Sequence, residues 1–173
     1  MKNIDLLDCG IAVFDDCLSE IFLKEYIDIY EKSELINNSW GAKNFTSSMT
    51  PAEVREFDLV FWKEIFVIYK NKFKSLKQSE CCIPWYELQK KEFRQSDVFF
   101  PKKSGFNPIQ LFNVVLFLNK NPQSSIIFLK QDKKISSSSG RVVIFPSSYT
   151  HRRVKYTNTS ENQYFLNCVV QKK

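Results

Sequence analysis

The segment that most constrains the fold is PIQLFNVVLFLN, residues 108–119. Apolar side chains fill most of its positions, so the run does not divide into one core-facing row and one solvent-facing row. Such a strand is stable only when both of its faces are covered. Its apolar stretch LFNVVLFL is too short to cross a membrane, because a spanning helix needs about 20 apolar residues. The chain must therefore place other layers on both sides of this strand.

A strand and a helix are predicted near the start of the chain. Residues 11–14 form a short apolar run that is typical of a strand, and the acidic pair Asp15 and Asp16 indicates a turn after it. Ser19 can then cap a helix by accepting a hydrogen bond from a free backbone N–H group. The apolar residues that follow at helical spacing are Phe22, Tyr26, Ile29 and Tyr30. One face of this helix is therefore expected to be buried.

A second helix start is indicated by TPAE at residues 50–53. Thr50 is the expected cap, Pro51 suits the first helical position, and Glu53 completes a capping box. The apolar stripe expected from helical spacing contains Val54, Phe57, Phe61, Ile65 and Ile68. We expect this helix to extend to about Lys74, with a boundary uncertainty of about two to four residues.

From residue 81 onward, strand-forming side chains dominate the chain. The predicted strands lie in CIPWYELQKKEF, PIQLFNVVLFLN, SSIIFLKQ, GRVVIFPS, HRRVKYT and NQYFLNCVVQ, with turn signals at NKNP, SSSSG and NTSEN. Two helices followed by many short strands indicate an α+β protein, with the helices packed on an antiparallel sandwich or barrel. A single domain is expected, with helical support at about residues 18–76 and barrel strands at about residues 81–171.

Composition narrows the classes of function. Five cysteines form an odd number without a CxxC spacing, and no signal peptide precedes them, so reduced thiols and a cytoplasmic location are expected. The net charge of +6 is spread along the chain, and no glycine-rich nucleotide motif is present. Residue usage rich in Lys, Asn, Ile, Ser and Phe is typical of phage, viral or low-GC microbial proteins. We expect no membrane partner.

Five segments of the chain are similar, in their order and in their residue types, to the motifs of one enzyme family. IAVFDDCLSEIFLKEYIDIYE is similar to an opening strand and helix, and YELQKKEF to a strand that leads into a metal site. NVVLFLNKNP is similar to a v-l-Y-L-N strand, GRVVIFPSSYTH to G-r-l-l-i-F-p followed by a distal metal-binding histidine, and NQYFLNCVV to x-R-Y-x-l-x-x-W. The chain thus resembles the 2-oxoglutarate/Fe(II)-dependent dioxygenases of the prolyl 4-hydroxylase type. The resemblance implies a double-stranded β-helix, a cupin-like jelly-roll barrel with N-terminal supporting helices.

The resemblance implies an iron site whose ligands are a His-x-Asp/Glu pair and a distal histidine. His151, the one histidine of the chain, takes the distal position. Counting back from the v-l-Y-L-N strand places the pair at Pro101 and Lys103 or, one residue later, at Lys102 and Ser104. Neither pair offers the imidazole and carboxylate that Fe(II) requires, and a lysine ammonium repels a cation. The metal motif is therefore degenerate.

The cosubstrate positions are also substituted. The family pairs the far carboxylate of 2-oxoglutarate with a basic residue and a tyrosine hydroxyl, and the resemblance places Gln163 and Phe117 at these positions. Neither side chain carries a positive charge or a hydroxyl group. Asp97 is the carboxylate nearest in sequence to the metal motif, but it does not align with the family's ligand positions, so it is only a weak metal candidate. We therefore expect no cofactor; Fe(II) and 2-oxoglutarate would be needed only by an active enzyme.

These departures predict a degenerate, non-catalytic member of the fold. We expect it to bind a peptide or a small anionic ligand in the former substrate groove. The anion-binding candidates are the basic residues of the two segments that flank the metal motif: Lys102, Lys103, Arg152, Arg153 and Lys155.

Two other functions stay open. One is an active Fe(II)/2-oxoglutarate-dependent oxygenase that hydroxylates a protein side chain such as proline, with His151 and an atypical carboxylate as ligands. The other is a nucleic-acid-binding jelly roll in which the aromatic side chains of FVIYKNKFK stack bases. That stretch also fits an amphipathic helix with Ile65 and Ile68 inward, and the positive charge is not concentrated, so a nucleic-acid partner is not expected. The sequence does not indicate an oligomeric state.

Overall fold

Strands and short helices form the described part of the chain in the computed structural model, which comprises residues 3–32, 36–37, 45–73, 77–91, 98–99, 110–147, 154–157 and 162–173. The helical segments are α1 (Glu20–Lys32), α2 (Arg55–Val60), a π-helical turn (Phe61–Ile65), α3 (Phe66–Phe73) and a 3-10 helix (Gln78–Glu80). The strands are β1 (Ile4–Leu6), β2 (Ala12–Phe14), β3 (Ile36–Asn37), β4 (Phe45–Met49), β5 (Cys81–Cys82), β6 (Tyr86–Lys91), β7 (Val98–Phe99), β8 (Gln110–Phe117), β9 (Ser125–Phe128), β10 (Lys133–Ser136), β11 (Val142–Pro146), β12 (Val154–Thr157) and β13 (Gln163–Lys172).

Two antiparallel sheets organise these strands. The large sheet has the order β1-β2-β11-β8-β13-β6-β4-β3, with β5 paired to the end of β13. The small sheet has the order β10-β9-β12-β7. From β6 to β13 the chain alternates between the two sheets, except at the β9–β10 hairpin, which stays within the small sheet. The predicted α+β class with antiparallel sheets is confirmed, and the alternation is similar to that of a double-stranded β-helix.

The apolar segment at residues 108–119 contains β8, which lies inside the large sheet between β11 and β13. Successive side chains of β8 enter two different cores. Val114 and Leu116 belong to a core shared with the helices, whereas Val115 and Phe117 belong to a core shared with the small sheet. Each of these four side chains is at most 3% exposed. The predicted burial of both faces is therefore confirmed.

The core on the helical side is built from aromatic side chains of α1, α2 and the π-helical turn. In α1 the buried residues are Leu23, Tyr26 and Tyr30. The backbone N–H of Phe57 donates to the Tyr26 hydroxyl oxygen at 3.4 Å, which joins α2 to α1. Burial raises the pKa of Tyr26 to about 12, so this hydroxyl stays neutral. None of the described helices has the length and apolar character that a membrane crossing needs.

The second predicted helix differs from its prediction in two ways. Glu53 accepts hydrogen bonds from the Thr50 N–H at 2.6 Å and from the Thr50 hydroxyl at 2.8 Å, but residues 51–54 form turns and the helix begins at Arg55. The π-helical turn then interrupts the α-helix, with the Phe66 N–H donating to the Phe61 carbonyl five residues earlier. A π-helical turn contains one residue more than an α-helical turn. The side chains that follow it therefore point in directions rotated from those expected for a continuous α-helix.

This rotation changes which side chains of α3 are buried. The predicted stripe is correct for Val54, Phe57, Phe61 and Ile65, all of which are fully buried. Beyond the π-helical turn, however, Phe66 and Tyr69 enter the core, and Ile68 is only partly buried. Tyr69 also donates from its hydroxyl to the Gly10 carbonyl at 2.8 Å, and burial raises its pKa. Phe66 and Tyr69, two of the aromatic residues in FVIYKNKFK, are therefore buried and cannot stack on nucleic-acid bases.

The turn predicted at Asp15 and Asp16 is present and is held by an arginine from another part of the chain. Asp16 has a positive φ of 53°, as a tight turn after β2 requires. The guanidinium of Arg141 donates to both carboxylate oxygens of Asp15, at 2.6 and 3.1 Å. This paired contact connects the start of β11 to the segment between β2 and α1.

Candidate functional site

The inner face, meaning the face of the large sheet that meets the small sheet, contains the cosubstrate positions predicted from the sequence. Side chains alternate along a strand, so the residues that share a face with Phe165 on β13 are Gln163, Asn167 and Val169. On β8 the same face carries Phe117, Val115 and Asn113, and on β6 it carries Glu87 and Gln89. Polar and apolar side chains are interleaved on this face: Gln89 lies opposite Phe165, and Asn113 lies opposite Phe145 of β11.

Aromatic rings fill the apolar part of the inner face. Phe117 lies directly opposite Phe165 on the neighbouring strand, and their ring centroids are 5.4 Å apart. From the small sheet Phe128 packs edge-on against Phe145 at 5.0 Å. Phe117 and Phe128 are 0% exposed. The ring of Phe117 thus belongs to the core between the sheets and lines no described cavity.

Gln163 is also 0% exposed, and its N–H groups are used within the protein. Its amide nitrogen donates to the Asn119 backbone carbonyl at 2.9 Å and to the Asn119 side-chain oxygen at 2.7 Å. The same Asn119 oxygen accepts the Tyr164 backbone N–H at 2.9 Å. The remaining atom, Gln163 Oε1, is buried and has no hydrogen-bond partner among the described residues. This network joins the start of β13 to the end of β8.

The predicted cosubstrate positions do not fit 2-oxoglutarate. A carboxylate needs hydrogen-bond donors or a cation, and it is repelled by an unpaired acceptor in a region of low dielectric constant. Gln163 presents such an acceptor because its donors are bound to Asn119. Phe117 presents a ring that is already packed against Phe165. The described residues therefore offer no partner for the far carboxylate at these two positions.

Most of the predicted metal and anion ligands lie outside the described residues: His151, Asp97, Lys102, Lys103, Arg152 and Arg153. Lys155 lies in β12, where the structure describes its backbone, paired with Val98 of β7 and Ile127 of β9. Because β7 and β12 are antiparallel, the chain leaves β7 and enters β12 at the same end of the pair. Within the described ranges, no group of three or more His, Cys, Asp or Glu side chains is arranged to hold a metal ion.

Sequence analysis missed the polar side chains of the inner face. The Gln89 amide donates to a Glu87 carboxylate oxygen at 3.0 Å, and the Asn113 amide donates to the Ser147 hydroxyl at 3.0 Å. Asn167 contributes a buried side-chain oxygen that has no partner in the described part of the chain. The sequence did contain a signal. Glu87 and Gln89 alternate with apolar residues in YELQ, and Asn167 in FLN lies two positions after Phe165 and so on the same side of its strand.

Two surface grooves lie away from the space between the sheets. One has a volume of about 440 Å³ and is lined by Asp58 and Trp62, among others. The Asp58 carboxylate accepts hydrogen bonds from the Tyr86 hydroxyl at 2.5 Å and from the Trp62 indole N–H at 3.1 Å. The other groove, of about 570 Å³, follows the exposed side of α1. The first contact anchors α2 to β6, and neither groove contains a predicted site residue.

The fold is similar to solved structures of prolyl hydroxylases. The viral collagen prolyl hydroxylase of Paramecium Bursaria Chlorella virus-1, in a 2OG complex, matches with a TM-score of 0.74 and 14% identity, covering 96% of this chain and 100% of that chain. A Pseudomonas putida prolyl-4-hydroxylase matches with a TM-score of 0.64 and 14% identity, covering 98% and 96%. A Trichoplax adhaerens prolyl hydroxylase in complex with a hypoxia inducible factor peptide fragment matches with a TM-score of 0.61 and 12% identity, covering 95% and 84%.

These likenesses concern the backbone. No model of a known protein family matches the chain, and no curated protein matches it either. At 12 to 14% identity, the agreement with prolyl hydroxylases and with a Burkholderia pseudomallei enzyme of the 2OG-Fe(II) oxygenase family, at 9% identity, shows the fold alone. The chain thus has a 2OG-Fe(II) oxygenase-like fold that spans nearly all of its length.

Proposed function

We propose that this protein is a non-catalytic relative of the 2-oxoglutarate/Fe(II) dioxygenases that binds a peptide or an anionic ligand in the groove between its sheets. The observation that carries the proposal is the pair Gln163 and Phe117. Both are fully buried at the cosubstrate positions implied by the resemblance, and both are bound to neighbouring protein groups. An oxygenase that depends on 2-oxoglutarate must hold that molecule firmly, and these two side chains supply no cation and no hydroxyl group.

The fold supports ligand binding without the reaction. One structural neighbour is a prolyl hydroxylase in complex with a peptide fragment, so this architecture accommodates a peptide in at least one protein. We also infer that the two sheets close into a jelly-roll barrel whose mouth is flanked by the segments before β12 and after β7. Four of the basic residues proposed for an anionic ligand belong to those segments, namely Lys102, Lys103, Arg152 and Arg153, and the fifth, Lys155, lies in β12.

The first experiment measures thermal unfolding with and without millimolar Mn(II) plus 2-oxoglutarate. We expect the melting temperature to stay unchanged. A ligand pair present at a hundred times its dissociation constant would instead stabilise the fold by about 2.7 kcal/mol and raise the melting temperature by several degrees. Manganese replaces iron so that oxygen does not have to be excluded.

The His151→Ala variant is the control for this experiment. A shift in the original protein that disappears in the variant would contradict the proposal and support an active oxygenase with atypical ligands. Release of succinate in the presence of Fe(II), 2-oxoglutarate and oxygen would lead to the same conclusion. Equal melting temperatures with and without the ligands, in both proteins, are the result that the proposal requires.

A further inference from the structure

Solvent reaches four polar side chains of the inner face. Val115 and Phe165 on this face are at most 3% exposed, whereas Glu87, Gln89, Asn113 and Asn167 are partly exposed. A side chain on the inner face gains exposure only where the space between the two sheets opens. The polar residues therefore line the floor of an opening, while the aromatic residues beside them form a closed core.

These polar side chains are direct neighbours. Asn167 on β13 lies opposite Glu87 on β6, and cross-strand partners have Cβ atoms about 4.5 to 5.5 Å apart. On the other side of β13, Val169 lies opposite Asn113, which places Asn113 diagonally across from Asn167. We refer to Glu87, Gln89, Asn113, Ser147 and Asn167 as the polar floor. Its members come from four strands or strand ends and are assembled only by the sheet.

The polar floor carries one negative charge and no described positive charge. One N–H group of the Gln89 amide donates to Glu87, and one N–H group of the Asn113 amide donates to Ser147. Asn167 Oδ1 is a buried acceptor without a partner among the residues described. Glu87 adds a negative charge, and no described lysine or arginine forms an ion pair with it. Such a surface is complementary to a cation that carries several N–H groups.

We propose that the polar floor binds the guanidinium or ammonium group of a basic side chain in a bound peptide. The inference rests on the proposed function, since it names the group that the bound peptide presents to the large sheet. Glu87 would pair with the positive charge, and the partly exposed Asn167 side chain lies beside it. An arginine suits the floor best because its planar fork can donate to both carboxylate oxygens at once.

The same features disfavour an acidic group at this position. A carboxylate above Glu87 would meet a like charge. The misfit between the inner face and 2-oxoglutarate thus extends from Gln163 to the polar floor. The anionic ligand considered under the proposed function concerns the rim segments and not this floor.

The test is a ¹H–¹⁵N NMR titration with two capped tripeptides, acetyl-Gly-Arg-Gly-amide and acetyl-Gly-Glu-Gly-amide. We expect the arginine peptide to shift the amide signals of residues 87, 113 and 167 in a saturable manner, and the glutamate peptide to leave them unchanged. Glu87→Gln should weaken binding by about tenfold, the usual effect of losing one charge-assisted hydrogen bond. Asn167→Asp, which adds a charge beside Glu87, should strengthen it.

Glu64→Gln is the matched control, because Glu64 is an exposed residue of the π-helical turn and its replacement changes the net charge equally. Equal affinity of the original protein, Glu87→Gln and Glu64→Gln would overturn the inference, as would a larger response to the glutamate peptide. A stabilising effect of Mn(II) plus 2-oxoglutarate that needs His151 would instead overturn the proposed function. The two failures are therefore distinguished by different ligands and different variants.

Discussion

The Gln163 side chain uses its amide N–H groups on Asn119 and keeps its carbonyl oxygen buried without a described partner. An arginine at the same position would have five N–H donors, enough to satisfy Asn119 and still hold a ligand carboxylate. A glutamine has two. With only two donors, both used on Asn119, Gln163 connects β13 to β8 and has no N–H group left for a ligand carboxylate.

We expect Gln163→Leu to lower the free energy of unfolding by about 1 to 3 kcal/mol, because the Asn119 oxygens would lose donors in a buried environment. Urea denaturation measures the change. Gln171→Leu, at a partly exposed position of the same strand, should change it by less than about 0.5 kcal/mol. Equal stabilities of Gln163→Leu and the original protein would mean that this network is not important for the fold.

At the scale of elements, α1 is connected to the large sheet by a three-residue contact on its C-terminal turn. The Tyr164 hydroxyl donates to Glu31 at 2.5 Å, and the Lys90 ammonium lies 3.0 Å from the same carboxylate oxygen. Lys90 also lies over the Tyr164 ring, 5.4 Å from its centroid. The neighbouring Tyr30 packs edge-on against that ring at 5.9 Å. One glutamate therefore joins the helix to both β6 and β13.

This contact predicts a loss of stability in acid. The hydrogen bonds from Tyr164 and then Lys90 lower the pKa of Glu31 below its ordinary value. A carboxyl group with a lowered pKa in the folded state stabilises the fold above its unfolded-state pKa, and that contribution disappears as the pH falls through the folded-state pKa. Because Glu31 is 47% exposed, we expect the contribution to be only about 0.5 kcal/mol.

The measurement is urea denaturation of Glu31→Gln and of the original protein between pH 7 and pH 3. The stability difference should be present at pH 7 and vanish at the acid end. Glu25→Gln, at an exposed position of the same helix, should show no such convergence. A difference that is independent of pH would show that the Glu31 charge plays no part.

Periodicity predicted the elements better than their boundaries. The stripe Val54, Phe57, Phe61 and Ile65 is buried as expected, but the shift from Ile68 to Tyr69 comes from the π-helical turn, which side-chain spacing does not reveal. The short strands β1, β3, β4, β7 and β10 were not predicted, because a strand of two to five residues is too short to show alternation.

At the scale of the whole molecule, the large sheet separates two cores. One core is shared with the helices, and the other is shared with the small sheet. The second core contains aromatic residues from both sheets, among them Phe128 of β9 and Phe145 of β11. These rings pack the two sheets against each other.

Phe128→Ala should therefore destabilise the protein by about 3 to 5 kcal/mol, the usual effect of removing a buried aromatic ring. Leu129→Ala is the matched control, because Leu129 is the next residue and is 48% exposed. Its effect should stay below about 0.5 kcal/mol in the same urea denaturation experiment. Similar values for the two variants would mean that the sheets are not held together by this core.

The sequence by itself determined the class of the fold and the two-sided burial of β8. These features follow from side-chain type and from spacing along one strand or helix, so they can be read without knowing the neighbours. The tertiary structure alone decided that Gln163 donates to Asn119 and that Glu87 lies beside Asn167. Such contacts join residues tens of positions apart, and they depend on strand register, which no local pattern specifies.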